Sequence, residues 1–478
     1  MPIPESFVIL CRQTKNSQTM DKGTTNSGIP VFGRIVKMID KDDVMRIAAK
    51  LEVDRYTKRL NGYQHLLIML FAALGDFVSL RELELGFMAA ASRMNHMGMD
   101  YMVRRSTLSD ANARRDSAFF EAVYNSLLAR HKFVLSDSRP VKGLKRRLFI
   151  MDSTTITLFS QVFRGTGRNT INGKKKGGVK AHTVIRADED APSFVVITDA
   201  ATHDHVLLSQ LPVPAGSFLV FDMGYVDYEA WQGFTDSDIH YLTREKKKRR
   251  YKVLESRDVP EKAASKVVSD EIVELSWRKR LERPMTDEEL SHRRGRRPKN
   301  GVVMVKENRS GKHKCRRITA WKDDPSEGTI TFITNDFETD ADVLCEIYRR
   351  RWQIETLFKR LKQNFPLKYF LGDNKNAIQI QIWVCLIAWL LMTVIKNGSK
   401  RKWSMSNLKV SVRILLLSYV DLNVFLDLPE AQWLAAIEAR QAAQTRAEAW
   451  PSLFNERRGP VFENKKTMAY LKAVSNEK

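Results

Sequence analysis

The chain has 478 residues, 43% hydrophobic and 28% charged, so it has the apolar mass for a large core and falls outside the disordered class. Its formal net charge of +23 is high for an enzyme of small molecules and suits a polyanion, although an anionic membrane surface or an acidic polymer would select the same excess. The four cysteines, Cys11, Cys315, Cys345 and Cys385, form no Cys-x-x-Cys pair, which excludes a disulfide framework and a zinc signature and fits a reducing cytosol.

Residues 1–30 are polar and read as a flexible tail; their short apolar run lacks the basic flank and length of a signal peptide. From 31 to 136 the pattern is helical. Residues 65–74 (HLLIMLFAAL) are apolar on nearly every side and should be the centre of a small bundle. Residues 80–90 and 119–129 are amphipathic. Between them lie Arg104, Arg105, Ser106 and Thr107, with Arg114 and Arg115 beyond. Ser106 is expected to cap a helix N-terminus, and flanking arginines would make that end a phosphate site. A bundle that reads duplex DNA and a helical domain with an ordinary basic surface both fit.

Residues 137–147 carry Pro, Gly and cations and read as a linker. The hydrophobic period then changes. Strands are expected at 148–151, ending in Asp152, then at 179–186, 193–198 and 217–221, the last ending in Asp222. A short helical piece is expected at 205–211. Continuous apolar strands need cover on both faces, so this is a mixed α/β sheet. Residues 243–328 are dense in cations, notably 243–252 and 292–299, with short β-like runs at 301–306 and 317–321. They read as an inserted, β-rich basic subdomain lying on phosphates. Residues 330–334 restore a strand.

Residues 341–364 (ADVLCEIYRRRWQIETLFKRLKQN) contain neither Pro nor Gly, and the spacing predicts one helix. Val343, Ile347, Ile354, Leu357, Phe358 and Leu361 form its core side. At about 100° per residue, Tyr348, Arg351, Glu355 and Lys362 fall within an arc of roughly 60°. That row fits a solvated, salt-bridged face as well as a site, and the helix alone does not separate the two. Trp352 is expected to pack. Residues 378–395 are apolar but short for a membrane span once Gln379 and Gln381 are counted, and read as a core helix. Helices at 408–420 and 430–450, the second with Trp433 and Ile437 on one side, complete a C-terminal region, 401–478, that fits a subunit contact and fits equally a cap on the domain.

Asp152 and Asp222 end strands, and Glu355 stands on a helix that follows another. Three such carboxylates make an oxygen cage for hard cations. His203, Asp204 and His205 are too few and too crowded for zinc. Asp199 competes with Asp222 but lacks the Gly-Tyr turn that follows it. A strand-end Asp taken singly more often caps a turn; three acids in this order, beside Tyr348, Arg351 and Lys362 in a strongly basic chain, favour chemistry.

These residues resemble a known family. Tyr348, Arg351, Glu355 and Lys362 match the Tyr-x2-Arg-x3-Glu-x6-Lys signature of a subgroup of bacterial insertion-sequence transposases of the DDE class. The stretch from Phe149 to Thr154 resembles that family's first-acid motif. The stretch from Val220 to Tyr225 resembles the second, and Ile333, Thr334 and Asn335 resemble the strand before the signature. The likeness covers about residues 145–400, and the helical front is similar to a domain often attached to this subgroup. The resemblance implies a ribonuclease-H-like catalytic core in two parts, 145–242 and 329–400. An inserted β subdomain at 243–328 separates them, a helical DNA-binding domain at 31–136 precedes them and C-terminal helices follow. It implies two Mg²⁺ ions, with Mn²⁺ able to substitute, on Asp152, Asp222 and Glu355. It implies phosphate contacts from Tyr348, Arg351 and Lys362, with Arg105 and Ser106 as DNA-binding candidates of the front. The partners implied are double-stranded DNA, at element ends and target, and a second copy in a homodimeric synaptic complex. No membrane is implied, and the place is the bacterial cytoplasm, at the nucleoid. Relatives place a base-flipping Trp at the end of the insertion; here only Phe332 and Trp321 stand near that place. A DNA-binding protein with an inactive core, or a Mg²⁺-dependent nuclease, are the alternatives.

Overall fold

A computed structural model describes residues 28–135, 144–157, 178–187, 189, 191–199, 207–208, 211–246, 250–259, 266–286, 288, 292, 303–367 and 369–449. The tail to residue 27, most of the linker, His203, Asp204 and His205, and most of the cation run at 292–299 lie outside these. Two compact units divide the chain: residues 27–419 belong to the first and residues 420–478 to the second. In the second, the described elements are α12 (Leu422–Asp427), capped by Asp421, and α13 (Glu430–Ala449).

The first unit opens with six helices: α1 (Val31–Val36), α2 (Lys41–Lys50), α3 (Gly62–Gly75), α4 (Leu80–Ala89), α5 (Arg105–Arg114) and α6 (Ala118–Leu135). Helix α3 is apolar all round, and every residue from Gly62 to Leu74 is buried. It shares its core with α10 (Lys375–Gly398), which packs against α3, α5, α6 and α11 (Met405–Leu415). Helix α10 has the length and composition of a membrane span, yet 89% of its apolar window is buried inside the protein. It is the core helix that its sequence suggests. Its polar residues tie loops down. The Gln381 side chain accepts from the Leu371 N–H and donates to the Pro366 and Tyr369 carbonyls. Asn376 donates to the Asn112 and Arg115 carbonyls at the end of α5.

Among the described residues the sheet has nine strands: β1 (Arg147–Thr157), β2 (Gly178–Arg186), β3 (Pro192–Asp199), β4 (Ser217–Phe221), β5 (His240–Arg244), β6 (Tyr251–Arg257), β7 (Val267–Pro284), β8 (Met304–Trp321) and β9 (Thr329–Thr334). Their order is β3-β2-β1-β4-β5-β9-β8-β7-β6. Strand β4 runs parallel to both β1 and β5, and the other pairings are antiparallel. All five residues of β4 are buried, as a central strand requires. The short runs expected at 301–306 and 317–321 prove to be parts of one strand. Strand β8 pairs with β7 along its whole length. Its alternating cations hid the strand, because several of them gain a cross-strand or overlying partner, such as Glu274 for Lys312 and Glu271 for Arg317. Helices α7 (Tyr228–Asp236), α8 (Ala341–Arg349) and α9 (Trp352–Asn364) pack on this sheet.

Candidate active site

Register brings the first two acids together. The parallel pairing of β1 with β4 ends at Met151 opposite Phe221, so the next residue on each strand is Asp152 and Asp222. The expectation that Asp152 closes its strand is corrected. Strand β1 runs on to Thr157 because β2 still pairs with it there, and Ser153, Thr154, Thr155 and Ile156 suit a pleated surface. Asp152 thus loses its β4 neighbour where that partner strand ends, not where its own does. The Ser153 N–H donates to its Oδ1 at 2.7 Å. Asp222 opens a turn closed by the Tyr225 N–H on its carbonyl at 3.1 Å. Tyr225 and Trp231 anchor that turn in a core with Phe221 and Tyr241. Behind it the Tyr241 hydroxyl and His313 Nε2 are 2.6 Å apart, and burial lowers the His313 pKa to about 4, so the ring is a neutral core group.

Residues 341–364 form two helices, not one. Between α8 and α9 the bonding shortens: Arg350 N–H reaches Ile347 O, and Arg351 N–H reaches Tyr348 O. No Pro or Gly marks the break. Tertiary contacts hold it: the Tyr348 ring lies 4.8 Å from that of Phe332, and Arg351 is drawn onto β1. Arg351 Nη1 donates to Asp152 Oδ2 at 3.0 Å, and its Nη2 donates to Glu355 Oε1 at 2.5 Å. The Tyr348 hydroxyl donates to Asp222 Oδ1 at 3.5 Å. Lys362 Nζ donates to the Thr155 carbonyl at 2.8 Å. The three acids, Tyr348 and Arg351 therefore converge beside the end of β4, and Lys362 stands three residues further along β1, on Thr155.

Burial sets the protonation states. It raises the Asp152 carboxyl from an ordinary 3.8 to about 6, outweighing the Ser153 N–H and Arg351, which lower it. It raises the Tyr348 phenol to about 12, so this hydroxyl stays a donor at neutral pH. Burial also lowers the Lys362 pKa. Among the described residues the buried Arg351 Nε has no hydrogen-bond partner, which leaves this guanidinium capacity for a further acceptor. The raised Asp152 value has a signed consequence. The native state holds this proton more tightly than the unfolded chain between about pH 4 and 6. Asp152 therefore opposes folding fully above pH 6, and less as the pH falls through that window. Urea denaturation of the metal-free protein should show Asp152→Asn gaining stability over wild type at pH 7.5 and losing most of that advantage by pH 4.5. A pH-independent difference would show an unshifted carboxyl.

Not every candidate joins the cluster. Arg105 and Ser106 are exposed on the first turn of α5, in the helical layer. The expected Ser106 cap is corrected: Arg104 holds the cap position without a side-chain bond, and the Arg105 N–H is taken by Glu84 Oε1 at 3.3 Å. A carboxylate from α4 thus already answers that helix end. Trp352 is 65% exposed, contrary to its expected packing, because it stands about 200° round the helix from Ile354, opposite the buried side of α9. Phe332 is buried under Tyr348 and Trp321 is exposed. Arg244 was missed. It ends β5 next to the Asp222 turn, its Nη2 lies 3.4 Å from Met223 Sδ, and its charge favours the ionised form of the Tyr348 phenol. In the sequence it is one cation at the edge of a dense run, and only the pairing of β4 with β5 singles it out.

The donor set is three carboxylates without His or Cys, which suits hard divalent cations that prefer oxygen. In the arrangement seen, no three such side chains among the described residues are spaced to hold an ion together. The Arg351 guanidinium stands between two of the acids and neutralises them in the place of a cation.

Residues 143–391 match the profile of the transposase DDE domain, and the chain belongs to that family. A putative transposase of Sinorhizobium fredii is 29% identical over 60% of this chain and 70% of its own length. A putative insertion-sequence transposase of Synechocystis is 27% identical over 61% and 71%, and a probable one of Geobacillus stearothermophilus 23% over 54% and 59%. The protein is accordingly a DDE-class DNA transposase of the bacterial insertion-sequence kind, and its domain type depends on divalent metal. Residues 27–100 match a domain of unknown function. Among solved structures, a cryo-EM structure of the piggyBac transposase synaptic complex with hairpin DNA shows a TM-score of 0.40 and 7% identity, over 84% of this chain and 83% of that one.

Proposed function

We propose that Asp152, Asp222 and Glu355 hold two Mg²⁺ ions, with Mn²⁺ able to substitute, and that the enzyme cuts the ends of its own insertion sequence and joins them to target duplex. The single observation that carries this reading is the pair of bonds from Arg351 to Asp152 and Glu355, which gathers acids from β1 and α9 around one cation. Bound divalent ions would activate the attacking oxygen and neutralise the leaving one. The protein groups bind and orient. The protonated Tyr348 hydroxyl donates to a phosphate oxygen, and Arg351 and Lys362 carry fixed positive charge beside it. Arg351 suits the role because its planar fork can serve a carboxylate and a phosphate oxygen at once.

In this reading the strands β1 to β5 and β9 with α8 to α10 are a ribonuclease-H-like core of the Tyr-Arg-Glu-Lys subgroup. Residues 243–328 are an insertion on the DNA backbone, and 31–136 are a helical DNA-binding domain that includes Arg105 and Ser106. The C-terminal region from 401 serves a homodimer assembled on DNA, and the enzyme works in the bacterial cytoplasm at the nucleoid. The test is to incubate purified protein and Mg²⁺ with linear DNA ending in the element's inverted repeats, plus a target plasmid. Nicks at the repeat ends and covalently joined products are expected. Nicks without joined products would make it a nuclease, and binding without nicks would mean an inactive core.

A further inference from the structure

Between β9 and α8 the chain turns through residues 335–340, and the placement of that turn decides where α8 begins. Asp336 satisfies the turn's donors: its Oδ1 accepts from the Glu338 and Thr339 N–H groups at 2.9 and 3.0 Å. The turn's acceptors are satisfied from elsewhere, by cations on strands that lie between β5 and β9 in the chain. Arg316, on β8, donates Nη1 to the carbonyls of Thr339 at 2.5 Å and Asp336 at 3.3 Å. Its other nitrogens pair two-pronged with Asp270 on β7, Nε to Oδ1 at 2.9 Å and Nη2 to Oδ2 at 2.6 Å. Arg257, the last residue of β6, donates to the Phe337 carbonyl at 2.6 Å, and Lys314 Nζ lies 5.8 Å over the Phe337 ring. Arg316 and Asp270 are 3% and 6% exposed.

A buried ion pair adds little stability over apolar residues of the same volume, so stability alone gives no reason for one here. What an Arg-Asp pair adds is direction: a rigid fork whose third edge is aimed at two chosen carbonyls. We propose that Arg316, oriented by Asp270, is a positioning residue for the reaction. It sets the start of α8 from the β6–β8 strands, and so places Tyr348 and, past the helix break, Arg351 and Glu355 against Asp152 and Asp222. The proposal rests on the reading of those acids as the reacting site. It also gives strands β6 to β8 a second role besides DNA contact.

The test compares wild type, Glu355→Gln, and the double variant Arg316→Met with Asp270→Leu, which keeps the buried volume while removing the fork. The double variant should still unfold cooperatively in urea, at a lower midpoint because the Asp336 and Thr339 carbonyls lose their donor, and should bind end DNA with unchanged affinity. Its cleavage rate at saturating DNA should fall about 10²-fold, the scale expected for a displacement near 1 Å at a reacting group. Calorimetric titration of the DNA-free protein with Mn²⁺ should show affinity weakened about tenfold, which corresponds to one acid held out of place. Arg316→Lys, which keeps the charge but loses the fork, should not restore the rate. A folded double variant with wild-type cleavage and wild-type Mn²⁺ affinity overturns the proposal, provided Glu355→Gln is inactive. Full activity in Glu355→Gln overturns the reading of the site itself and the proposal with it.

Discussion

Glu355→Gln is expected to abolish strand cleavage and joining while leaving the protein folded and bound to DNA. The substitution keeps the shape of the side chain and its Oε1, which accepts from Arg351 Nη2. Glu355 is about one-third exposed, so losing its charge costs the fold little. What goes is one of three anionic oxygen donors. A bound metal supplies several kcal/mol of charge stabilisation in a displacement of this kind, and each 1.36 kcal/mol is tenfold in rate, so a loss of about 10³-fold or more is expected. Gel-shift affinity for end DNA should stay within about twofold, since the loss of one negative charge removes no phosphate contact. The experiment is cleavage and joining of end DNA at saturating protein, with a shift assay on the same preparation. Retained cleavage would falsify the assignment of Glu355; lost binding would place it in the DNA interface instead.

Arg351→Ala is expected to act in opposite directions on the two states of the site. Without metal, the guanidinium is the counter-charge of Asp152 and Glu355, at 3.0 and 2.5 Å. Its removal leaves two carboxylates facing each other, and the metal-free protein should lose about 1 kcal/mol, the scale of partly exposed pairs. Mn²⁺ should then bind more tightly than to wild type, because no fixed cation competes for the same oxygens, and should recover the lost stability by mass action. Catalysis should fall by about 10²–10³-fold, the usual loss when one donor to a transition-state oxyanion is removed. Thermal melts with and without Mn²⁺, beside a cleavage rate at saturating metal, separate the two effects. Wild-type cleavage at saturating Mn²⁺ would reduce Arg351 to a stand-in for the metal with no contact to DNA.

The acids were legible because each sits in a local pattern: an apolar strand with an Asp near its end, or a helical row with one carboxylate among cations. The strand at 217–221 and the buried helix around 378–395 came through for the same reason, since continuous apolar runs have few other places to go. Strand β8 did not, because its polar alternation is answered by partners on β7 that lie far away in the chain. Nor did the break at Arg350 and Arg351, where no residue of unusual backbone preference marks the point. Trp352 shows a plainer case: it stands about 200° round the helix from the buried Ile354, on the side away from the apolar row, and is exposed.

By itself the sequence determined the mixed α/β character, and it singled out as candidates the three acids, the row of Tyr348, Arg351 and Lys362 and a basic surface for the partner. All of these depend on residue type and on spacing within one element. The tertiary structure alone decided that Asp152 lies in mid-strand, that Arg351 bridges two acids, that Arg244 borders the site and that Arg316 holds the entry to α8. Each of those depends on which distant strands pair and in what register. Pairing is chosen by the packing of the whole sheet, and local propensity carries no record of it.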